Sequence, residues 1–354
     1  MDNILLTTGG TGGHIFPALA VAEELRRRNP NANLLFVGSL YGPEERLMRQ
    51  AGIPFEGLPV RGLLGRGFKA VGAGAQMAMA VAKAVGIIRR FKPDVVAGFG
   101  GYAAFAPMLA GRLMGVPGVL HEQNAIAGAS NRFLARIARR VCISLPNTSG
   151  FDMKKCVFTG NPVRAAVTAV GQISRQRQSR RLLVMGGSQG AHALNAFMLE
   201  NLAEFRGAGV EIRHQTGVTD EGSVRAAYVA AGYAPECVSA FIDDMAGAYA
   251  WADVALCRAG ASTVAEPCAA GLPSLLVPFP HAIHDHQTRN AEVLTRSGAA
   301  VLVPEGRMAV QHMSDILLRL LTMPGEREPM AAAALSAARP DAAARVVAVL
   351  EETA

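Results

Sequence analysis

Residues 3–28 read NILLTTGGTGGHIFPALAVAEELRRR, and three signals follow one another in that stretch. Asn3–Thr8 is a short apolar run of the kind buried on both faces of a parallel sheet. Gly9, Gly10, Gly12 and Gly13 then cluster around Thr11, and Pro17–Arg28 has an amphipathic helical pattern with proline at its first turn. Strand, glycine loop and helix open a βαβ unit, and such a loop brings free backbone N–H groups to an anion. Two common uses of the loop are excluded. The sixth position of a G-x-G-x-x-G register from Gly10 is Ile15, and the second strand ends Val37-Gly38-Ser39 without a carboxylate for a ribose. No Gly-Lys-Ser/Thr follows, so the loop is not a nucleotide-triphosphate P-loop either.

Outward from this stretch the same grammar repeats. Apolar runs at Asn33–Val37, Asp94–Gly98, Gly118–His121 and Val141–Ser144 read as further strands of one sheet. A second series begins at Arg181–Met185 and continues through Glu211–Gln215, Val238–Ile242, Val254–Arg258, Ser274–Pro278 and Ala300–Pro304. Between the series, Asn161–Arg180 has mixed polarity and little strand character. The spacing therefore predicts an α/β protein of two Rossmann-like parallel-sheet domains with a cleft between them. Gly98-Phe99-Gly100-Gly101-Tyr102 and Gly186-Gly187-Ser188-Gln189-Gly190 stand at carboxyl ends of strands like the first loop. Three such loops point to ligands carrying several phosphates, with Ser188 set to bond a phosphate oxygen. Asp341–Glu352 reads as a capped terminal helix.

With 50% apolar and only 18% charged residues, the chain is not disordered. The five cysteines are odd in number and scattered, which suits thiols in a reducing compartment. The opening MDNILLTTGG has no basic n-region followed by an apolar h-region, and the least polar stretch, 70–88, is broken by Gln76 and Lys83. A cytoplasmic chain, or one attached to a membrane from that side, is expected. Charge is uneven: residues 1–165 hold 20 Lys and Arg against 9 Asp and Glu, whereas the remainder holds 15 against 19. An anionic partner is thus expected on the first half alone, either nucleic acid or an anionic membrane surface.

The second half carries its own polar constellation. Arg258 to Glu266 reads RAGASTVAE, a strand end leading through a glycine turn into a helix whose N-terminus suits a diphosphate. Glu266 is expected on the first helical turn, where its carboxylate can accept both ribose hydroxyls or close a capping box with Ser262 or Thr263. Pro278 to Ala291 holds His281, His284, Asp285 and His286, but the spacing is not a zincin's, so no metal site is expected.

Taken together, GGTGGHIFPALAVAEEL (9–25), GFGGY (98–102), HEQNAIAG (121–128), TGNPVR (159–164), GGSQGA (186–191), FIDDM (241–245), CRAGASTVAE (257–266) and LVPFPHAIHDHQTRNA (276–291) resemble the MurG family. The match runs in order along nearly the whole chain, with a histidine-rich version of the loop at His284–His286. The resemblance implies a GT-B fold. Residues 1–161 with the terminal helix 341–354 would form an acceptor and membrane-docking domain, and 162–340 a UDP-GlcNAc-binding domain.

It implies transfer of GlcNAc from UDP-GlcNAc to lipid I, giving lipid II in peptidoglycan synthesis, by inversion and without metal or cofactor. Donor contacts carried over from the family are Thr11, Gly12, Gly13, Asn124, Arg164, Ser188, Ile242, Ala261, Ser262, Thr263, Val264, Ala265, Glu266 and Gln287. Gly10, Gly100, Gly101 and Tyr102 are assigned to the acceptor diphosphate. His14, at the mouth of the first loop, is the candidate base, since imidazole titrates near neutrality; the alternative is a hydrogen-bonded residue that positions the loop.

With this resemblance the anionic partner becomes the cytoplasmic face of the bacterial inner membrane rather than nucleic acid, with cell-wall synthesis proteins as further partners. Arg61–Arg90 mixes Leu63, Leu64, Phe68, Met77, Met79 and Ile88 with Arg61, Arg66, Lys69, Lys83, Arg89 and Arg90, a composition suited to interfacial insertion or to ordinary packing with a basic solvated face. Two other classes remain in view: a UDP-sugar epimerase of the same fold, needing no lipid contact, and a nucleotide-sugar binder without catalysis.

Overall fold

In a computed structural model, the alternating runs become two parallel sheets. The residues described are 1–60, 70–146, 148–173, 179–187, 190–309 and 312–354. They divide into one unit of Met1–Arg164 with Arg339–Ala354, and another of Ala165–Ala338. These divisions lie a few residues from the boundaries expected from the sequence. Arg164 stays with the first unit because its guanidinium lies over the Phe16 ring, 4.6 Å from the centroid, and Arg339 likewise covers Phe158 at 5.6 Å.

In the first unit, β1 (Asn3–Thr7), β2 (Asn33–Ser39), β3 (Phe55–Leu58), β4 (Val95–Gly98), β5 (Gly118–Glu122), β6 (Arg140–Ile143) and β7 (Cys156–Phe158) pair in the order β3-β2-β1-β4-β5-β6-β7. Every pairing among them is parallel. The helices are α1 (Gly12–Arg28), α2 (Glu44–Gln50), α3 (Ala70–Phe91), α4 (Phe105–Leu113) and α5 (Ala129–Ile137). Along β1, Ile4 and Leu6 face one layer and Leu5 the other, as the two-residue period of a strand requires. The sequence reading missed β3 and β7.

In the second unit, α6 (Ala165–Val170) precedes β8 (Arg181–Met185), α7 (His192–Gly207), β9 (Glu211–Gln215), α8 (Glu221–Ala230), β10 (Val238–Ser239) and α9 (Met245–Trp251). Then follow β11 (Val254–Cys257), α10 (Ala261–Ala269), β12 (Ser274–Leu276), α11 (His286–Arg296), β13 (Ala300–Leu302), α12 (Met313–Thr322) and α13 (Pro324–Ala337). The strand order is β10-β9-β8-β11-β12-β13, again wholly parallel. The last helix, α14 (Ala342–Thr353), returns to the first unit. It buries Val346, Val347, Val349 and Leu350 against the layer that holds α1, each burial worth ~1.5–3 kcal/mol. Arg28 fastens the two helices, pairing with Glu351 at 2.9 Å and donating to the Ala344 carbonyl at 2.9 Å.

Two local expectations are corrected. Helix α1 begins at Gly12, so Pro17 lies inside it, past the first turn. Asp341 does cap α14 by position, but its carboxylate goes to Arg345 Nε at 2.6 Å instead of a backbone N–H.

In both sheets the strand order reverses direction beside the first strand of the unit, between β1 and β4 and between β8 and β11. Ligands of open α/β sheets bind beyond the carboxyl ends of strands at such a point. The loops 9–13 and 98–102 leave β1 and β4, and the loops after Met185 and Cys257 leave β8 and β11.

Candidate active site

In the first unit the two glycine loops touch backbone to backbone. A Cβ on Gly101 would sit 1.9 Å from the Gly9 carbonyl oxygen, and Gly101 has a φ of 76°, so only glycine fits there. Thr8 Oγ1 donates to the Gly100 carbonyl at 2.9 Å and binds the loops further. A Cβ on Gly100 would meet His14 Nδ1 at 3.3 Å and the Asn131 amide at 3.0 Å; one on Gly10 would meet the Tyr102 ring at 3.5 Å. Gly10, Gly100, Gly101, Tyr102 and His14 are therefore one cluster. The N–H of Gly10 is already spent, donating to Glu44 Oε1 at 3.0 Å, and Glu44 is fully buried. What Gly10 offers an anion is its backbone conformation (φ 109°), not its N–H.

Thr11 is the N-cap residue of α1 and Gly12 and Gly13 are its first two residues, so their N–H groups lie at the positive end of the helix dipole. His14 follows, partly buried, with Nδ1 2.9 Å from Gln123 Oε1. Asn124 sits at the end of β5, its backbone N and side-chain Nδ2 both donating to Glu122 Oε1 at 3.0 and 3.2 Å. The other oxygen of Glu122 accepts from Gly128 N at 3.1 Å and Asn131 Nδ2 at 2.8 Å. A buried carboxylate needs donors, and this one gathers four to fix the loop carrying Asn124. Arg164, stacked on Phe16, belongs to the same neighbourhood as the first turn of α1: a Cβ on Gly12 would meet the Phe16 ring at 2.8 Å.

In the second unit, Ser188 lies outside the described residues. Ala261, Ser262, Thr263, Val264, Ala265 and Glu266 run through the first turns of α10, capped by Gly260. Glu266 falls in the second turn, not the first, and a capping box is ruled out because the cap residue is glycine and the third helical residue is Thr263. The Glu266 carboxylate is buried, and its Oε2 accepts from the Tyr249 hydroxyl at 3.0 Å. Gln287 Oε1 accepts from Phe279 N at 2.9 Å and Ala259 N at 3.3 Å, while Asn290 Nδ2 donates to the Ala259 carbonyl at 3.2 Å. Arg258 pairs with Glu305 at 2.6 Å and donates to the carbonyls of Val277 and Pro278 at 3.3 Å each. These contacts fix the loops on either side of the α10 N-terminus.

Ile242 stands apart. Strand β10 ends at Ser239, and Ile242 lines a cavity of about 690 Å³ with Arg213, His214, Tyr233, Phe241 and Trp251, which none of the other described candidate residues lines. In the histidine loop, His284 and Asp285 adopt left-handed φ of 55° and 53°, and Asp285 accepts from Thr288 Oγ1 at 2.6 Å. Among the described residues, no group of three His, Cys, Asp or Glu side chains is arranged to hold a metal ion.

Of the candidate docking stretch, residues 61–69 lie outside the described residues. Helix α3 packs Ala80, Ala84, Ile87 and Ile88 into the core, so Ile88 is not a surface residue, whereas Met79 is 64% exposed. Lys83 donates to the Gly57 carbonyl at 2.8 Å and Arg90 pairs with Glu56, so two of the expected docking cations brace β3. No described helix is long and apolar enough to cross a membrane.

Residues 4–143 match the glycosyltransferase family 28 N-terminal domain and 181–346 its C-terminal domain. A relative from Nitratidesulfovibrio vulgaris strain DP4 is 52% identical over 98% of this chain and 96% of its own length. It is named UDP-N-acetylglucosamine--N-acetylmuramyl-(pentapeptide) pyrophosphoryl-undecaprenol N-acetylglucosamine transferase, as is one from Methylococcus capsulatus, 44% identical over 99% of this chain and 98% of its own. The crystal structure of Acinetobacter baumannii MurG matches with a TM-score of 0.75 at 33% identity, covering 99% of this chain and 100% of that one. The chain belongs to the MurG family. Its two parallel-sheet units are those of the GT-B fold of MurG. A UDP-GlcNAc 2-epimerase from Neisseria meningitidis shares that fold, with a TM-score of 0.69 over 99% of this chain and 100% of that one, at 15% identity.

The MurG motifs visible in the sequence did not reveal Gln123, Glu122, Tyr249, Arg258 with Glu305, or Glu44. Each makes its contact across the fold or through a turn that no spacing rule marks.

Proposed function

We infer that this chain transfers N-acetylglucosamine from UDP-GlcNAc to the 4-hydroxyl of MurNAc in undecaprenyl-pyrophosphoryl-MurNAc-pentapeptide, giving lipid II. The observation that carries this is the 52% identity, over nearly the full length of both chains, to an enzyme named for that reaction. Inversion requires a base on the acceptor hydroxyl as its oxygen attacks the anomeric carbon, and stabilisation of the departing diphosphate.

His14 is the base. Thr11, Gly12, Gly13, Asn124, Arg164, Ser188, Ile242, Ala261–Glu266 and Gln287 contact the donor, with Glu266 on the ribose and the α10 N-terminus on the diphosphate. Gly100, Gly101 and Tyr102, with the turn at Gly10, hold the acceptor diphosphate. Support for this division is chemical: helix N-termini and glycine backbones meet an anion, and a nearly buried carboxylate suits a pair of hydroxyls. The first unit with its returning helix takes the acceptor, and the second takes most of the donor, with Thr11, Gly12, Gly13, Asn124 and Arg164 as the donor contacts that the first unit adds. The chain works as a peripheral protein on the cytoplasmic face of the inner membrane, beside other cell-wall synthesis proteins, drawn by the positive charge of residues 1–165.

Radiolabelled UDP-GlcNAc incubated with a lipid I analogue tests the reading. Label on the lipid is expected, with turnover unaltered by excess EDTA. Release of UDP with an isomerised sugar, or binding without turnover, would replace transfer with one of the two rival classes.

A further inference from the structure

Behind His14 runs a line of hydrogen bonds whose polarity is fixed at its far end. His121 is fully buried on β5, with Nε2 3.2 Å from the Gly160 carbonyl oxygen. A carbonyl only accepts, so Nε2 carries the hydrogen, and the Ser144 hydroxyl oxygen, farther from the same nitrogen at 3.4 Å, takes the accepting role as well. Burial holds the His121 pKa down at about 4, so the ring is neutral near pH 7 and its Nδ1 is a bare acceptor. Gln123, also buried, presents Nε2 to that Nδ1 at 3.1 Å and to the Phe99 carbonyl at 2.8 Å. Both neighbours are acceptors, so the amide cannot be turned round without two acceptor–acceptor contacts. Its oxygen therefore faces His14 Nδ1, 2.9 Å away, and must receive a hydrogen from it.

We propose that Gln123 is a positioning residue that fixes His14 as the Nδ1–H tautomer and leaves Nε2 as the proton-accepting atom of the site. Two backbone carbonyls, those of Phe99 and Gly160, set the polarity of the whole line. Among the described residues Nε2 of His14 takes no hydrogen bond. In water the imidazole of histidine favours the opposite tautomer, with hydrogen on Nε2, so the partner of Nδ1 decides which nitrogen can act. The amide does this without adding a charge beside the ring. The space for that ring depends on Gly100, whose Cβ would crowd Nδ1.

The catalytic consequence rests on the reading of His14 as base; the tautomer itself does not. The test therefore reads both. The full chain, labelled with ¹⁵N at histidine, is examined by two-bond nitrogen–proton correlation, with the His14 signals identified by their loss in His14→Ala. Wild type is expected to show a protonated Nδ1 and a bare Nε2. Gln123→Met, which cannot accept the hydrogen, should move His14 toward the Nε2–H form. It should lower kcat roughly tenfold to a hundredfold, the range known for partners that orient metal-bound histidines, with KM for UDP-GlcNAc unchanged.

Gln123→Glu keeps an oxygen toward His14 and should retain the Nδ1–H form, while its second oxygen opposes the Phe99 carbonyl and His121 Nδ1, so its urea midpoint should fall below that of wild type. A wild-type spectrum with hydrogen on Nε2 would overturn the proposal even if the methionine variant failed to fold. So would a folded Gln123→Met protein that keeps the wild-type tautomer. If the tautomer behaves as stated while His14→Ala retains full kcat, the relay stands and the base assignment falls.

Discussion

His14 and His192 occupy matching points of the two units, each in the first turn of the helix that follows the unit's first strand and glycine loop. Both stand at the end of a line of hydrogen bonds that reaches a buried histidine. From His14 the line runs through Gln123 to His121. From His192 it runs to Asp220 Oδ2 at 3.0 Å, from Asp220 to Asn195 Nδ2 at 2.7 Å, and from Asn195 Oδ1 to Nε2 of His214 at 3.0 Å, whose Nδ1 meets the Tyr228 hydroxyl at 2.9 Å.

The first link differs. His14 meets a buried neutral amide; His192, with 87% of its side chain exposed, meets a carboxylate that hydrogen bonds from Asn195 and His192 hold below the usual carboxylate range. A link on an exposed ring is screened by water and salt and constrains little. A buried amide fixes orientation and tautomer without adding charge. The fold repeats between the units, but the partner that meets the histidine does not. The second unit has a buried acid three helices further along the chain, Glu266 on α10.

The largest effect on that division comes from Glu266. Glu266→Ala should weaken UDP-GlcNAc binding about a hundredfold by calorimetry, as bonds to a carboxylate contribute ~1.5–3 kcal/mol each. Tyr249→Phe, which leaves the carboxylate in place, should bind donor nearly as well as wild type. Unchanged affinity in Glu266→Ala would take the donor ribose away from this residue.

Acid should next strike the buried ends of both lines. Burial lowers the His121 pKa to about 4 and the His214 pKa to about 3, against ~6.5 in the unfolded chain. Below pH 6.5 the unfolded state binds protons that the folded state refuses. Stability is therefore complete above that value and falls as pH drops toward 4, by on the order of 2 kcal/mol per histidine at pH 5. Urea midpoints that stay level from pH 7 to pH 5 would mean that these rings are not held neutral.

A smaller effect sharpens the charge difference between the units. Lys69→Gln with Arg89→Gln should reduce binding to anionic vesicles severalfold and spare turnover on a short-chain soluble acceptor, each cation being worth ~1 kcal/mol near such a surface. Lys83→Gln with Arg90→Gln should instead loosen α3 from β3 by under ~1 kcal/mol, because those side chains hold Gly57 and Glu56. Equal loss of vesicle binding from both pairs would mean that Lys83 and Arg90 contribute to docking as much as Lys69 and Arg89.

The fold was legible in the sequence wherever strands are buried on both faces. The runs at β1, β8 and β11 read without ambiguity because no polar residue interrupts them. The two missed strands, β3 and β7, are the two edges of the first sheet. Both are half-buried for the most part: Glu56 interrupts Phe55–Leu58, and Cys156–Phe158 is only three residues long, so neither offers an apolar run of readable length. Glycine loops at strand ends were equally readable, since glycine marks close approach and positive φ. The partners were not. Gln123 lies 109 residues from His14 and Tyr249 lies 17 from Glu266, on a different helix, and no local periodicity encodes such a meeting. Glu266 was placed a turn too early because the helix start depends on Gly260, which caps by backbone conformation and leaves no side-chain signature.

The central claim is that His14, and not its counterpart His192, removes the acceptor proton. The direct measurement is steady-state transfer by His14→Ala and His192→Ala, with UDP-GlcNAc affinity determined on the same preparations. His14→Ala should lower kcat by ~10²–10⁴ with donor affinity nearly intact, and His192→Ala should leave both unchanged. A His14→Ala protein that keeps kcat, or that loses donor affinity in proportion to its lost turnover, would contradict the account.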